Sequence, residues 1–256
     1  MGRFIIRRGL KIWPSYYVLM VVTAVFSLLV ARARGVAFPK HEVLVSALFT
    51  RIFFGNDGFN YLSHSWSLAV EEHFYLLLPL LLVLLLRFGK RRDPFRSIPW
   101  IFLGVAAVCF ALRYIAPQNG PYAWATYLRM DGLFAGVLIG YLYHFRRSWF
   151  DKLTGHHAPG ICVLCLLPAF TFSAESEPMK TYGISLLMIG FSFLVSWSVV
   201  RQPRGRIASV MAKIGFYSYS IYLWHLCLAF PFVCPSSRAL RWLSGSRWFW
   251  PSRSGL

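Results

Sequence analysis

Trp66-Ser-Leu-Ala-Val-Glu-Glu-His-Phe-Tyr-Leu-Leu-Leu-Pro-Leu-Leu-Leu-Val-Leu-Leu-Leu86 decides the architecture. Its last eleven residues are Leu and Val apart from Pro79, and the whole run matches the roughly 20 residues an α-helix needs to cross a bilayer. Composition agrees with a membrane setting. The 256 residues are 57% hydrophobic and only 14% charged, with a mean hydropathy of +0.53. A soluble domain carries about a quarter charged residues, so a water-soluble α/β or all-β globule is excluded. No ten-residue alternation of apolar and polar positions recurs, so a transmembrane β-barrel has no support.

Working outward, six further apolar runs approach bilayer length: Trp13–Ala31, Ile98–Ala116, Ala125–Phe145, Pro159–Ser173, Gly183–Val200 and Tyr217–Pro235. The shorter stretch Val43–Gly55 contains Arg51 and reads as re-entrant or interfacial. The sequence therefore predicts an all-α, polytopic helical membrane protein with about seven transmembrane helices over residues 1–235. The Ser-, Arg- and Trp-rich residues 236–256 form a separate tail.

The 27 Lys and Arg against nine Asp and Glu leave a formal net charge of +18. That balance would suit nucleic-acid binding, but the cations lie in short clusters between apolar runs, as membrane proteins distribute them. With the N-terminus inside, sixteen of the 27 fall on one face: Arg3, Arg7, Arg8 and Lys11; Arg87, Lys90, Arg91, Arg92 and Arg96; Arg146, Arg147 and Lys152; Arg201, Arg204, Arg206 and Lys213. The asymmetry holds only if Val43–Gly55 does not cross. An integral protein of the cytoplasmic membrane with its N-terminus inside follows, with the lipid bilayer as partner and no nucleic acid. No apolar leader precedes the first basic cluster, so no signal peptide is expected.

Ionisable groups within spans are costly and usually face the bundle interior. Glu71 and Glu72 are about 100° apart on a helix, so at most one can address a given partner; Glu71 shares its stripe with Ser67, Leu68 and Tyr75. Arg129 and Asp131 open another span, followed by Gly132, Gly136 and Gly140, a small-residue repeat that permits close helix contact and predicts a central position. Arg113, near a span end, is expected to snorkel outward. His225 lies deep in the last span, where it either bonds a neighbouring helix or handles protons or substrate; His64 and His73 flank the carboxylates as weaker candidates. Cys162 and Cys165 form a CxxC close to His156 and His157, but within an apolar run the pair reads as packing, and no metal site is expected.

Four motifs resemble the acyltransferase 3 family of membrane O-acyltransferases, which includes O-antigen and other polysaccharide O-acetyltransferases. Phe4-Ile-Ile-Arg-Arg-Gly-Leu-Lys-Ile-Trp-Pro-Ser-Tyr16 is similar to the family's FxxRRxxRIxPxY, with Lys11 in place of an arginine. Trp66-Ser-Leu-Ala-Val-Glu-Glu-His-Phe-Tyr75 is similar to WSLxxExxFY, and the family glutamate maps to Glu71. Arg129-Met-Asp131 resembles the R-x-D segment, and Ser218-Tyr-Ser-Ile-Tyr-Leu-Trp-His225 the late SYxxYLxH.

The resemblance implies transfer of an acyl group, usually acetyl, from cytoplasmic acyl-CoA to a hydroxyl of a glycan or other cell-envelope acceptor. Acyl-CoA is then a donor substrate, and no permanently bound cofactor is expected. Arg7, Arg8 and Lys11 are implied in CoA binding, Glu71 and His225 in catalysis, and Arg129, Asp131, Tyr75 and Trp66 in a substrate-binding or structural polar core. The family domain has about ten helices, and a first helix carrying its catalytic histidine precedes the arginine motif. Only Met1-Gly-Arg3 stands there in this chain, so a partial domain is expected, with His225 or His73 substituting, or a homo-oligomer or partner chain supplying the missing helix. A proton-coupled transporter or flippase and an inactive truncated homologue are the competing readings.

Overall fold

The computed structural model describes residues 2–35, 37–38, 40–50, 53, 60–89, 92–115, 125–173 and 176–233. Every regular element among them is helical. In chain order these are α1 (Gly2–Arg34), α2 (Lys40–Ala47), a 3-10 segment (Asn60–Ser65), α3 (Trp66–Phe88), α4 (Ile98–Ile115), a 3-10 turn (Thr126–Leu128), α5 (Met130–Phe145), α6 (Arg147–Leu153), α7 (Ala158–Leu166), α8 (Pro168–Thr171), a π-helical turn (Met179–Gly183), α9 (Ile184–Arg201) and α10 (Arg206–Val233). The predicted tail, residues 236–256, lies outside the described residues.

Among the described residues, four helices are long and apolar enough to cross a membrane: Gly2–Ala33, Trp66–Phe88, Ile98–Ile115 and Met179–Arg201. A bent pair, Arg147–Leu153 with Ala158–Thr171 at 61°, makes a fifth if it counts as one span. Their flanks carry large exposed apolar side chains such as Leu76, Leu80, Leu103 and Val108, a surface that water would penalise and lipid accepts. The protein is thus an integral, all-helical membrane protein, while the predicted count of seven spans is not established. Two elements account for part of the difference. The run Ala125–Phe145 spends its first residues in a 3-10 turn, leaving α5 with 16 residues. The run Pro159–Ser173 is interrupted at Pro168, whose ring supplies no N–H and crowds the carbonyl of Leu164.

The chain divides into two compact units, Met1–Ala69 with Val210–Leu256, and Val70–Ser209. In the first, Ile12, Tyr16, Leu19, Leu62, Leu68 and Leu223 form the buried core. The Tyr16 hydroxyl donates to the Ser46 carbonyl (2.9 Å) and the Tyr17 hydroxyl to that of Ala47 (3.1 Å), which ties α2 to α1. At eight residues α2 is only about 12 Å long, too short to span. The Tyr219 hydroxyl donates to the Ile12 carbonyl at 2.7 Å and joins α10 to α1.

The second unit is built on α4, α5, α7 and α9. A Cβ on Gly190 would stand 3.0 Å from Cys165 Cβ and 3.3 Å from the Cys162 carbonyl oxygen. The CxxC pair thus packs against a glycine of α9, in keeping with its reading as packing. The repeat Gly132, Gly136 and Gly140 corrects another expectation: among the described residues nothing lies within 4 Å of where their Cβ atoms would be. The repeat contributes no close helix contact there, because α5 turns Asp131, Phe134, Ala135 and Tyr141 inward instead.

Candidate functional site

In the first unit the sequence places Arg7, Arg8 and Lys11 on α1 before its buried core residues begin at Ile12. Arg7 and Lys11 are exposed, four residues apart on one stripe, and Arg8 is half-buried. Their charges are therefore presented together at one end of an apolar helix.

The same unit gathers polar groups around the start of α3 and the middle of α10. The Tyr222 hydroxyl donates to the His64 carbonyl, so its oxygen accepts at 2.6 Å from the Ser67 hydroxyl. His64 Nε2–H donates to the Leu223 carbonyl (3.2 Å) and His225 Nδ1–H to the Tyr222 carbonyl (2.6 Å). The two imidazoles lie 5.1 Å apart, edge to face. His225 is exposed. With Nδ1–H held by a backbone carbonyl, its neutral tautomer directs the Nε2 lone pair outward as a proton acceptor. The sequence points to His225 ahead of His64; 161 positions separate them, and only packing of α10 against the 3-10 segment brings the two rings together. Trp66, beside Ser67, is half-buried.

In the second unit α3 carries Glu71, Glu72, His73 and Tyr75. Glu72 is buried, while Glu71, His73 and Tyr75 are half-buried. The His73 ring nitrogen Nδ1 and the Thr126 hydroxyl are hydrogen-bonded at 2.9 Å. Phe74 packs edge to face on Phe134 (5.3 Å), which fixes this turn of α3 against α5.

Arg113 departs most from expectation. It does not snorkel: it is 2% exposed, among the largest fully buried side chains. Its Nη1 donates to the Leu128 carbonyl (2.7 Å), and its Nη2 donates to Asp131 Oδ2 (2.7 Å) and Ser185 Oγ (2.8 Å). Asp131 Oδ1 accepts from the Gly132 amide at 3.0 Å. Asp131, two residues from Arg129 in the sequence, is held in a buried ion pair by Arg113; Arg129 is half-buried near them. The signal that would have found Arg113 is charge matching: it is the one cation inside its span, and Asp131 the one acid inside the next. At the other end of α5, Asp93 accepts from the Tyr141 hydroxyl (2.9 Å) and from Arg146 (3.0 Å).

Among the described residues, two polar clusters, one in each unit, and a basic end of α1 place ionisable and hydrogen-bonding groups on the helices of a membrane protein. A family model described as an acyltransferase domain, acyltransferase 3, matches residues 1–251, and the chain belongs to that family. Among curated proteins it is 28% identical over 249 residues to a Staphylococcus aureus (strain COL) protein that carries an O-acetyltransferase name, covering 88% of this chain and 40% of the relative. It is 27% identical over 245 residues to the peptidoglycan O-acetyltransferase OatA of Listeria monocytogenes, covering 87% of this chain and 39% of the relative. The chain thus spans about 40% of the length of these relatives. No solved structure matches it.

Proposed function

We propose that the chain is the membrane-embedded part of an O-acyltransferase that moves an acyl group, acetyl in the first instance, from acyl-CoA at the cytoplasmic face to a hydroxyl of a glycan or other cell-envelope acceptor. The observation that carries the reading is the family match over residues 1–251. The names of the relatives support acetyl as the group and a cell-wall glycan as the acceptor class. Placement in the cytoplasmic membrane, N-terminus inside, rests on the distribution of cations and puts Arg7, Arg8 and Lys11 on the side where acyl-CoA is found.

In this reading Arg7 and Arg8 hold CoA phosphates through paired N–H donors, and Lys11 adds a point charge without that geometry. A base removes the proton from the acceptor hydroxyl as its oxygen bonds to the thioester carbonyl carbon. The carbon–sulfur bond then breaks, and the CoA thiolate leaves and is protonated. Glu71 is the carboxylate assigned to this work by its motif, and His225 is the imidazole whose tautomer suits it. Tyr75, Arg129 and Asp131 in the second unit, and Trp66 in the first, bind substrate or brace the polar groups of their own unit. The length of the relatives leaves room for further helices, from the rest of a longer protein or from a second chain.

The test follows transfer of labelled acetate from acetyl-CoA into envelope glycan by membranes containing the protein. Arg8→Ala and Glu71→Gln are each expected to lower transfer by about 100-fold or more, the usual scale for loss of a catalytic proton-transfer group or an essential phosphate contact. Transfer that persists undiminished in both variants overturns the assignment of these residues, and its absence from the unmodified protein overturns the reading.

A further inference from the structure

The 3-10 turn between α4 and α5 is held from one face of α4. Cys109 and Arg113 stand four residues apart on that helix. Cys109 Sγ donates to the Tyr127 carbonyl at 3.1 Å, and Arg113 donates to the Leu128 carbonyl and to Asp131. The turn closes on itself through Leu128 N–H to Ala125 (3.0 Å) and Arg129 N–H to Thr126 (3.0 Å). It therefore has few independent degrees of freedom once Arg113 is in place. It also carries two side chains of the motif-bearing interior: Arg129 itself, and Thr126, whose hydroxyl holds the His73 ring next to Glu72.

The third partner of Arg113 points the same way. Ser185 lies just beyond the π-helical turn Met179–Gly183, and wide turns of this kind are rare and recur at functional sites. A plain structural ion pair would need only one carboxylate. Here one guanidinium unites α4, the turn, α5 and α9.

We infer that Arg113 is a positioning residue: through its buried pair with Asp131 and its bond to Leu128 it sets the place of Arg129 and, by way of Thr126, the orientation of His73. The inference rests on the acyltransferase reading for its kinetic consequence, but its geometry stands without it.

Two measurements on the protein in membranes test it. The first follows maleimide labelling of Arg129→Cys, with Cys109 replaced by Ser to keep its donor and the other cysteines by Ala; Trp149→Cys, at an exposed site on α6, serves as reference. Adding Arg113→Gln, or Arg113→Lys where the glutamine variant does not accumulate, is expected to change labelling at 129 about fivefold while leaving 149 unchanged, the mark of a local opening. No change at 129, an equal change at both sites, or failure of Arg113→Lys to accumulate overturns the inference, the last because it marks a requirement for folding alone. The second measurement is the kinetic split. Arg113→Lys should lower kcat about tenfold with the KM for acetyl-CoA within twofold, since the proposed donor contacts are Arg7, Arg8 and Lys11 and do not include Arg113. A raised KM at constant kcat overturns it. If the unmodified protein transfers no acetyl group, the acyltransferase reading fails and the labelling result still decides the role of Arg113.

Discussion

Tyr222 shows how one side chain organises a site that its neighbours only populate. Its hydroxyl joins Ser67 to the His64 backbone, and its own carbonyl selects the His225 tautomer. Tyr222→Phe removes the first two bonds and leaves the carbonyl. Stability in detergent should fall by about 1–3 kcal/mol, the net worth of two hydrogen bonds, and acyl transfer should fall further than that loss explains; a thermal scan and the transfer assay together check it. The two glutamates make a second contrast. Glu72 is buried and Glu71 half-buried on the adjacent position. Glu72→Gln is therefore expected to act mainly on stability, and Glu71→Gln on transfer; measuring thermal midpoint and transfer for both variants separates the roles, and the opposite pattern would assign Glu72 to the chemistry.

Among elements, glycine content alone misleads. The periodic Gly132, Gly136 and Gly140 looks like a helix-contact face, yet the close approach among the described residues is made by the single Gly190 against α7. Gly190→Ala would press its methyl against Cys165 and the Cys162 carbonyl and is expected to destabilise by about 1–3 kcal/mol through overpacking. Gly136→Ala meets nothing and should be neutral or stabilising by up to about 1 kcal/mol from helix propensity. Unfolding midpoints of the two variants in detergent provide the comparison. Four of the predicted spans were legible because apolar length is a local property. Their interruptions were less so: Pro168 accompanies a break while Pro14 and Pro79 sit inside continuous helices, and the 3-10 turn before α5 is bonded by Arg113 and Cys109 from another helix.

At the level of the whole molecule, the balance of charge implies a topology with a measurable consequence. If Arg3, Arg7, Arg8, Lys11 and the clusters near 90, 146 and 204 share the cytoplasmic face, single cysteines placed at 152 and 204 should be blocked by impermeant reagents only in inverted vesicles, and a cysteine at 180 only in right-side-out ones. Labelling of 152 and 180 from the same side would remove the orientation on which the donor site depends.

The sequence by itself determined the class, because burying some twenty apolar residues in lipid needs no tertiary partner and because the arginine, WSLxxE and tyrosine–histidine motifs are contiguous strings. It also marked Glu71, Asp131 and His225 as ionisable groups that a membrane interior must accommodate. Only the tertiary structure decided the long-range neighbours of two of them: Asp131 pairs with Arg113 across 18 positions, and the His225 ring stands beside that of His64 across 161. The buried Asp131 takes the cation that helix packing brings to 2.7 Å, Arg113, a distance set by the fold and not by nearness along the chain.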